Sequence, residues 1–198
     1  MRKLAILTFQ TLDGVMQAPG VPEEDLSGGF NQGGWAQECW EEVMEQVGRE
    51  AMAEPYDLLL GKKTYDIFAP YFTSAEPDDP VAQKLNSAKK YVVTSRPDEL
   101  KWQNSVKISR DIATEISNLK KESGPLLQVH GSWQLIQSLL SNGLIDELRL
   151  WTFPVVVGRG KRLFSDGAIP GKYELTKFES CPCGAFMHFY QPIDKAGV

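Results

Sequence analysis

Histidine and cysteine are scarce in this chain of 198 residues, and their scarcity excludes whole classes of chemistry. The two histidines, His130 and His188, stand far apart, and Cys39, Cys181 and Cys183 make an odd set without framework spacing. A zinc site takes about four ligands, and Cys181-Pro-Cys183 has no second pair or histidine cluster beside it, so no metal is expected. The thiols read as plain cysteines of a reducing compartment. No apolar run approaches the roughly 20 residues of a membrane helix. Leu4 to Phe9, behind Arg2 and Lys3, is broken by Gln10, Thr11 and Asp13 before it could serve as a signal peptide. A cytoplasmic location follows by default. Positive charge is not in excess: 21 basic against 26 acidic residues leave a formal charge of −5. That balance gives no support for nucleic acid or a membrane surface as partner. Neither G-x-G-x-x-G nor a Walker motif occurs, and no Ser-His-Asp arrangement suggests a hydrolase.

What is present is an ordinary globular composition, 42% hydrophobic, at a length that suits one domain over residues 1–198. Leu4 to Phe9 reads as a buried first strand ending at Asp13-Gly14. Gln17 to Gly34, rich in Gly, Pro, Asp and Asn, reads as a long loop. The spacing of Trp40, Val43, Met44 and Val47 predicts a helix from about Trp35 to Glu54, closed by Pro55. Strand and helix then alternate: Tyr56 to Gly61, a helix from Lys62 to about Phe68, a helix over Asp78 to Ala88, and strands at Lys90 to Thr94 and Val106 to Ile108. Asp111 caps a helix to Lys121, Pro125 to His130 is a strand, and Gly131-Ser132 opens a helix that Gly143 stops. A long strand over Glu147 to Val157 and a late hairpin, Tyr173 to Glu179 and Ala185 to Tyr190, finish the chain. This order describes an α/β sandwich with a mostly parallel sheet and an antiparallel edge.

Three segments share one design, a buried strand that ends in a small or polar residue with a helix beginning immediately after it. They are Leu60-Gly61-Lys62-Lys63-Thr64, Val93-Thr94-Ser95-Arg96 and Val129-His130-Gly131-Ser132. Glycine lets a phosphate approach the backbone, and the free N–H groups of a first helical turn bind it. Thr64, Ser95 and Ser132 add hydroxyls. Lys62, Lys63 and Arg96 add the positive charge that suits a 2′-phosphate. Each segment alone is usually only a helix start or a loop. Their repetition matters, because ligands of open α/β sheets collect at the carboxyl ends of strands.

The same residues carry a family resemblance. Thr11-Leu12-Asp13-Gly14, Leu60 to Tyr65, Tyr91 to Arg96, Val129 to Ser132, Leu144 to Leu150 and Pro154 to Phe164 occur in an order that resembles the RibD C-terminal-domain family. That family has the dihydrofolate-reductase-like fold, a three-layer sandwich, and includes the riboflavin-pathway pyrimidine reductases. The resemblance implies NADPH as cofactor, a small heterocyclic or pterin-like substrate, and a homodimer. It implies that Lys62, Lys63 and Thr64 hold the 2′-phosphate and pyrophosphate side, that Ser95 and Arg96 lie near the adenosine phosphate, and that Gly131 and Ser132 meet the pyrophosphate. Gly61 provides the close approach. The implied reaction is hydride transfer to a C=N or C=O group, with Asp13 as the candidate proton donor. The alternatives are an NADP(H)-binding protein of the same fold without activity, or a dihydrofolate reductase.

Several residues stay open at this stage. Asp13 either faces the substrate or satisfies its own turn. Glu38, Glu41, Glu42 and Glu45 read as a solvated acidic face, since the helix does not reproduce the folate-enzyme motif. The basic turn Gly158 to Arg162, with Arg159, Lys161 and Arg162, reads as a hairpin tip more readily than as a phosphate site. Trp35 is either a lid or a staple for the helix start, and Trp151 and Phe153 read as core or subunit interface.

Overall fold

The computed structural model describes residues 1–97, 99–166 and 168–193. Among them, strands β1 (Leu4–Thr11), β2 (Tyr56–Gly61), β3 (Lys90–Val93), β4 (Ser105–Ile108), β5 (Leu126–His130), β6 (Glu147–Phe153), β7 (Tyr173–Ser180) and β8 (Phe186–Pro192) are joined by helices α1 (Trp40–Glu50), α2 (Lys62–Thr73), α3 (Pro80–Ser87), α4 (Ile112–Lys121) and α5 (Trp133–Ser141). Hydrogen-bonded strand neighbours follow the order β4-β3-β2-β5 among the strands between residues 54 and 145, and β6-β8-β7 among those after residue 146. The fold is the expected α/β class: β2 pairs parallel with β3 and β5, β3 with β4, and β8 pairs antiparallel with β6 and β7. The chain divides into two compact units, residues 1–5 with 54–145, and residues 6–53 with 146–198.

The first unit is built on strands buried on both faces, which is why they read as continuous apolar runs. Leu58, Leu59, Leu60, Val92, Leu127 and Val129 are closed off from solvent, as are Ile116, Ile136 and Leu139 of the helices. Helix starts follow their capping chemistry. Asp79 accepts from the Val81 and Ala82 amides at 2.8 and 3.0 Å, with Pro80 in the first helical position. Asp111 likewise accepts from the Thr114 amide and hydroxyl.

Two buried cations tie the irregular segments of this unit down. Lys90 donates to the carbonyls of Asn86, Ala88 and Gln103 and lies 4.3 Å from the Trp102 ring centre. Burial pushes its amine down to about 8. Arg2 pairs with Asp57 and donates to the Pro125 carbonyl at 2.8 Å. Gly124 leaves the room, since a Cβ there would stand 2.9 Å from Arg2 Nε.

In the second unit α1 lays Val43 and Val47 into the core, where Trp151 and Phe153 are fully enclosed. Phe9 meets Trp40, Trp151 and Phe153 edge-on, with ring centres 5.6 to 6.2 Å apart. Several boundaries differ from the sequence expectation: α1 ends at Glu50 rather than near Glu54, and α2 runs through Pro70 to Thr73 rather than stopping near Phe68. The strand predicted to Val157 ends at Phe153, because Pro154 has no amide to continue a ladder. The helix predicted from Trp35 begins as a short 3-10 turn, Gln37–Cys39, and Trp35 itself turns into the core.

Removing Asp57 leaves the enclosed Arg2 guanidinium without its counter-charge. Asp57→Ala is expected to cost about 3 kcal/mol of unfolding free energy in urea. A loss under about 1 kcal/mol would mean that the pair behaves like a surface ion pair.

Candidate functional site

The carboxyl ends of β2 and β5 meet at one hydroxyl. Gly131 and Ser132, between β5 and α5, both take the left-handed conformation, with φ of 57° and 66°. A non-glycine residue pays for that geometry, so such residues persist where the surroundings impose them. Here Ser132 Oγ accepts the Gly61 amide at 2.8 Å and donates to Thr64 Oγ1 at 2.8 Å. A Cβ on Gly61 would stand 3.3 Å from the Ser132 side chain, and one on Gly131 would stand 3.8 Å from Thr64. Gly61 therefore leaves the Ser132 side chain its room, and Gly131 supplies the left-handed turn. Gly61, Thr64, Gly131 and Ser132, separate in the sequence, form one knot at the starts of α2 and α5.

Charge gathers beside it. Lys62 is half-buried and pairs with Asp66 at 2.5 Å, while Arg96 reaches the other oxygen of Asp66 at 4.0 Å. The Arg96 amide donates to Thr94 Oγ1, and its carbonyl accepts from Lys107. Lys63 and Ser95 are exposed. The helix expected directly after β3 is not there: the described residues between Val93 and Ser105 form no helix, so only β2 and β5 end at helix starts. A cavity of about 330 Å3 opens here, lined by Lys62, Tyr65, Asp66, Glu99, Lys101 and Trp102 among others. Asp66 and the Glu99–Trp102 segment escape the strand-end reasoning. Only the four-residue spacing of Lys62 and Asp66 hints at the pair.

Asp13 belongs to the other unit, where its carboxylate holds a turn. It accepts from the Thr11 hydroxyl at 2.6 Å and from the Gly158 and Val157 amides at 2.9 and 3.3 Å. Arg162 lies 3.6 Å away and donates to the Asp13 carbonyl. Burial alone would raise its pKa, but the Thr11, Val157 and Gly158 hydrogen bonds outweigh burial and hold Asp13 below the ordinary aspartate value. The basic turn serves the same unit: Lys161 pairs with Asp25 at 2.6 Å and bonds Ser27. Gln17 binds the Lys161 amide and the Asp25 and Ser27 carbonyls. Gly160 presses on the loop so closely that a Cβ would stand 2.7 Å from Val15. Trp35 is a staple: it is buried, donates to the Gln17 carbonyl at 2.8 Å and packs on Phe153. Glu38, in the 3-10 turn, and Glu41, Glu42 and Glu45, on α1, are exposed. The sequence reading missed Gln46, which is buried and accepts from Trp151 Nε1 and the Cys181 thiol.

An α/β fold with glycine-lined strand ends and adjacent cations defines a class of protein whose ligands collect at the carboxyl ends of the strands. Residues 2–187 match the RibD C-terminal domain, and the chain belongs to that family. It is 36% identical over 114 residues to the uncharacterized protein YyaP of Bacillus subtilis (strain 168), an alignment covering 55% of this chain and 59% of YyaP. Two solved structures share the fold. The diaminohydroxyphosphoribosylaminopyrimidine deaminase/5-amino-6-(5-phosphoribosylamino)uracil reductase of Thermotoga maritima is 17% identical with a TM-score of 0.64, covering 97% of this chain and 57% of that one. The dihydrofolate reductase of Enterococcus faecalis, complexed with NADP(H) and RAB-propyl, is 14% identical with a TM-score of 0.61, covering 97% of both chains.

The lowered pKa of Asp13 sets a pH dependence. Its stabilising contribution is present above the ordinary aspartate value and is lost as pH falls through the lower folded value. Asp13→Asn is therefore expected to lose about 1 kcal/mol at neutral pH, a gap that closes in strong acid. Chemical denaturation of both proteins across the acid range checks this, and a gap independent of pH would refute it.

Proposed function

We propose that this chain is a reductase that binds NADPH at the carboxyl ends of β2, β3 and β5 and reduces a small heterocyclic or pterin-like compound. The observation that carries the reading is the Ser132 hydroxyl, which joins Gly61 and Thr64 behind two consecutive left-handed residues. A pyrophosphate would bind here to backbone N–H groups in the first turns of α2 and α5, with the Ser132 and Thr64 hydroxyls beside it. Lys62, Lys63 and Arg96 would hold the 2′-phosphate, with Ser95 beside it. Asp66, now shared by Lys62 and Arg96, would have to give up part of its hold on them. Family membership and the NADP(H) complex of the Enterococcus faecalis relative in fold support this choice of cofactor. Bound there, the cofactor supplies a hydride, and the chain contributes orientation.

Asp13 favours a second reading. A general acid works best with a pKa near the operating pH, and this carboxyl is held lower, by bonds that occupy both of its oxygens. A nucleotide-binding protein of the same fold without turnover accommodates that state. Under the reductase reading, Asp13→Ala abolishes turnover and leaves NADPH affinity unchanged. Under the binding reading, no acceptor is reduced by either protein.

Titration of the purified protein with NADPH and NADH, followed by nicotinamide fluorescence or calorimetry, tests the cofactor site. Lys62→Ala with Lys63→Ala is expected to weaken NADPH about tenfold or more while moving NADH little. Ser132→Ala is expected to weaken both nucleotides, because the knot serves the shared pyrophosphate. Failure of either nucleotide to bind the unaltered protein near millimolar concentration would sink the reading.

A further inference from the structure

The three cysteines, spread over 145 positions of sequence, converge in the second unit at the junction of α1 with the β7–β8 turn. Cys39 ends the 3-10 turn that leads into α1. Cys181 and Cys183 sit in the hairpin turn, which is closed by Cys181 N–H to Ala185 O at 2.7 Å and Gly184 N–H to Cys181 O at 3.0 Å. Gly184, with φ of 92°, makes the reversal that carries Cys183 across to the helix. There the Cys183 amide donates to Glu42 Oε2 at 2.9 Å, and the Cys39 thiol lies 3.5 Å from the Cys183 carbonyl oxygen. The Cys39 sulfur is thus in contact with the backbone of Cys183 itself. Cys181 is differently placed: its thiol donates to Gln46 Oε1 at 3.1 Å, the same oxygen that takes Trp151 Nε1–H. Neither sulfur of the close pair has a role in the proposed cofactor site.

We propose that Cys39 and Cys183 form a redox-modifiable pair that a hydroperoxide converts to an intramolecular disulfide, stapling the start of α1 to the β7–β8 turn. Cys183 is half-buried and meets the oxidant, whereas Cys39 and Cys181 are 5% and 7% exposed. The Cys183 thiolate attacks one oxygen of the peroxide. An S–O bond forms, the O–O bond breaks, and the departing alkoxide or hydroxide takes a proton. Sulfur has lost two electrons to the peroxide and is now a sulfenic acid. The Cys39 sulfur then attacks the Cys183 sulfur: the S–S bond forms, the S–O bond breaks, and hydroxide leaves with the Cys39 proton as water. Two thiols and one hydroperoxide thus give one disulfide, one alcohol (or water) and one water. Burial, the neighbouring Cys183 thiol and Glu42 push Cys39 up to about 12, so the second step is slow at neutral pH and quickens in alkali. Burial likewise lifts Cys181 to about 11 and keeps it a thiol.

The test uses the whole folded protein and hydrogen peroxide, with alkylation of remaining thiols and peptide mass mapping without reduction. The expected product is one disulfide joining the Cys39 and Cys183 peptides, two hydrogen atoms lighter, with Cys181 alkylated. Cys181→Ser should give the same cross-link. Cys39→Ser should stop at the Cys183 sulfenic acid, trapped by dimedone. Unreacted thiols, a Cys183 sulfinic acid without a cross-link, a Cys181–Cys183 bridge or a bridge between chains would each overturn the proposal, and all are read on the unaltered protein.

Discussion

Parallel pairing of β2 with both β3 and β5 is the constraint on which the candidate site depends. The register places Leu59 opposite Val129 and Gly61 opposite Val93, so three strands end at nearly the same level. A parallel strand has to be followed by a crossover, and a helix that starts at the strand end brings its unpaired N–H groups to that edge. Gly61 and Gly131 are then neighbours across the sheet by geometry, and the side chain of one residue, Ser132, suffices to join them. The price is the pair of left-handed residues at Gly131 and Ser132, which the opposite chain end holds in place.

The second unit solves a different problem, the burial of aromatic surface under a short helix and a long loop. Trp35, Trp40, Phe9, Phe153 and Trp151 meet mainly edge-to-face, the arrangement that aromatic quadrupoles favour. The loop from Gln17 to Gly34 is held by polar anchors as much as by these rings. Gln17 serves two carbonyls and one amide, Lys161 reaches Asp25, and Asp13 ties its own turn to the Val157–Gly158 backbone. Residues that read as candidates for substrate chemistry are in this way engaged in ordering backbone. The same holds for the turn that brings Cys183 to Cys39, where Glu42 takes the amide that a tight reversal leaves without a strand partner.

Period and punctuation made most elements legible. Apolar runs marked β2 and β5, Asp79 with Pro80 and Asp111 marked helix starts, and Gly143 marked a stop, because each of these signals acts within a few residues. One failure passed over a local signal, since Pro154 inside the predicted run cut β6 short; another came where distant chain decided, as contacts with Gln17 and Phe153 drew Trp35 out of the helix. In the candidate site the glycines, hydroxyls and basic residues were visible as a repeated strand-end pattern. Asp66, which Lys62 and Arg96 share, was not, since a carboxylate four residues from a lysine is ordinary on any helix surface. Gln46 looked like a surface residue by type, and only the Trp151 and Cys181 donors explain its burial.

By itself, then, the sequence determined the class of fold and the edge of the sheet where glycines, hydroxyls and basic residues are concentrated. Hydrophobic period, caps and glycine positions are local properties that survive without knowledge of the partner strands. Which groups meet across those positions was decided by tertiary structure alone. Ser132 Oγ finds Gly61 and Thr64, about 70 residues away, through strand register. Cys39 finds Cys183 through the packing of a helix against a hairpin turn. Hydrogen bonds and thiol pairs act over a few ångströms, and no spacing in one dimension specifies a distance of that size between remote residues.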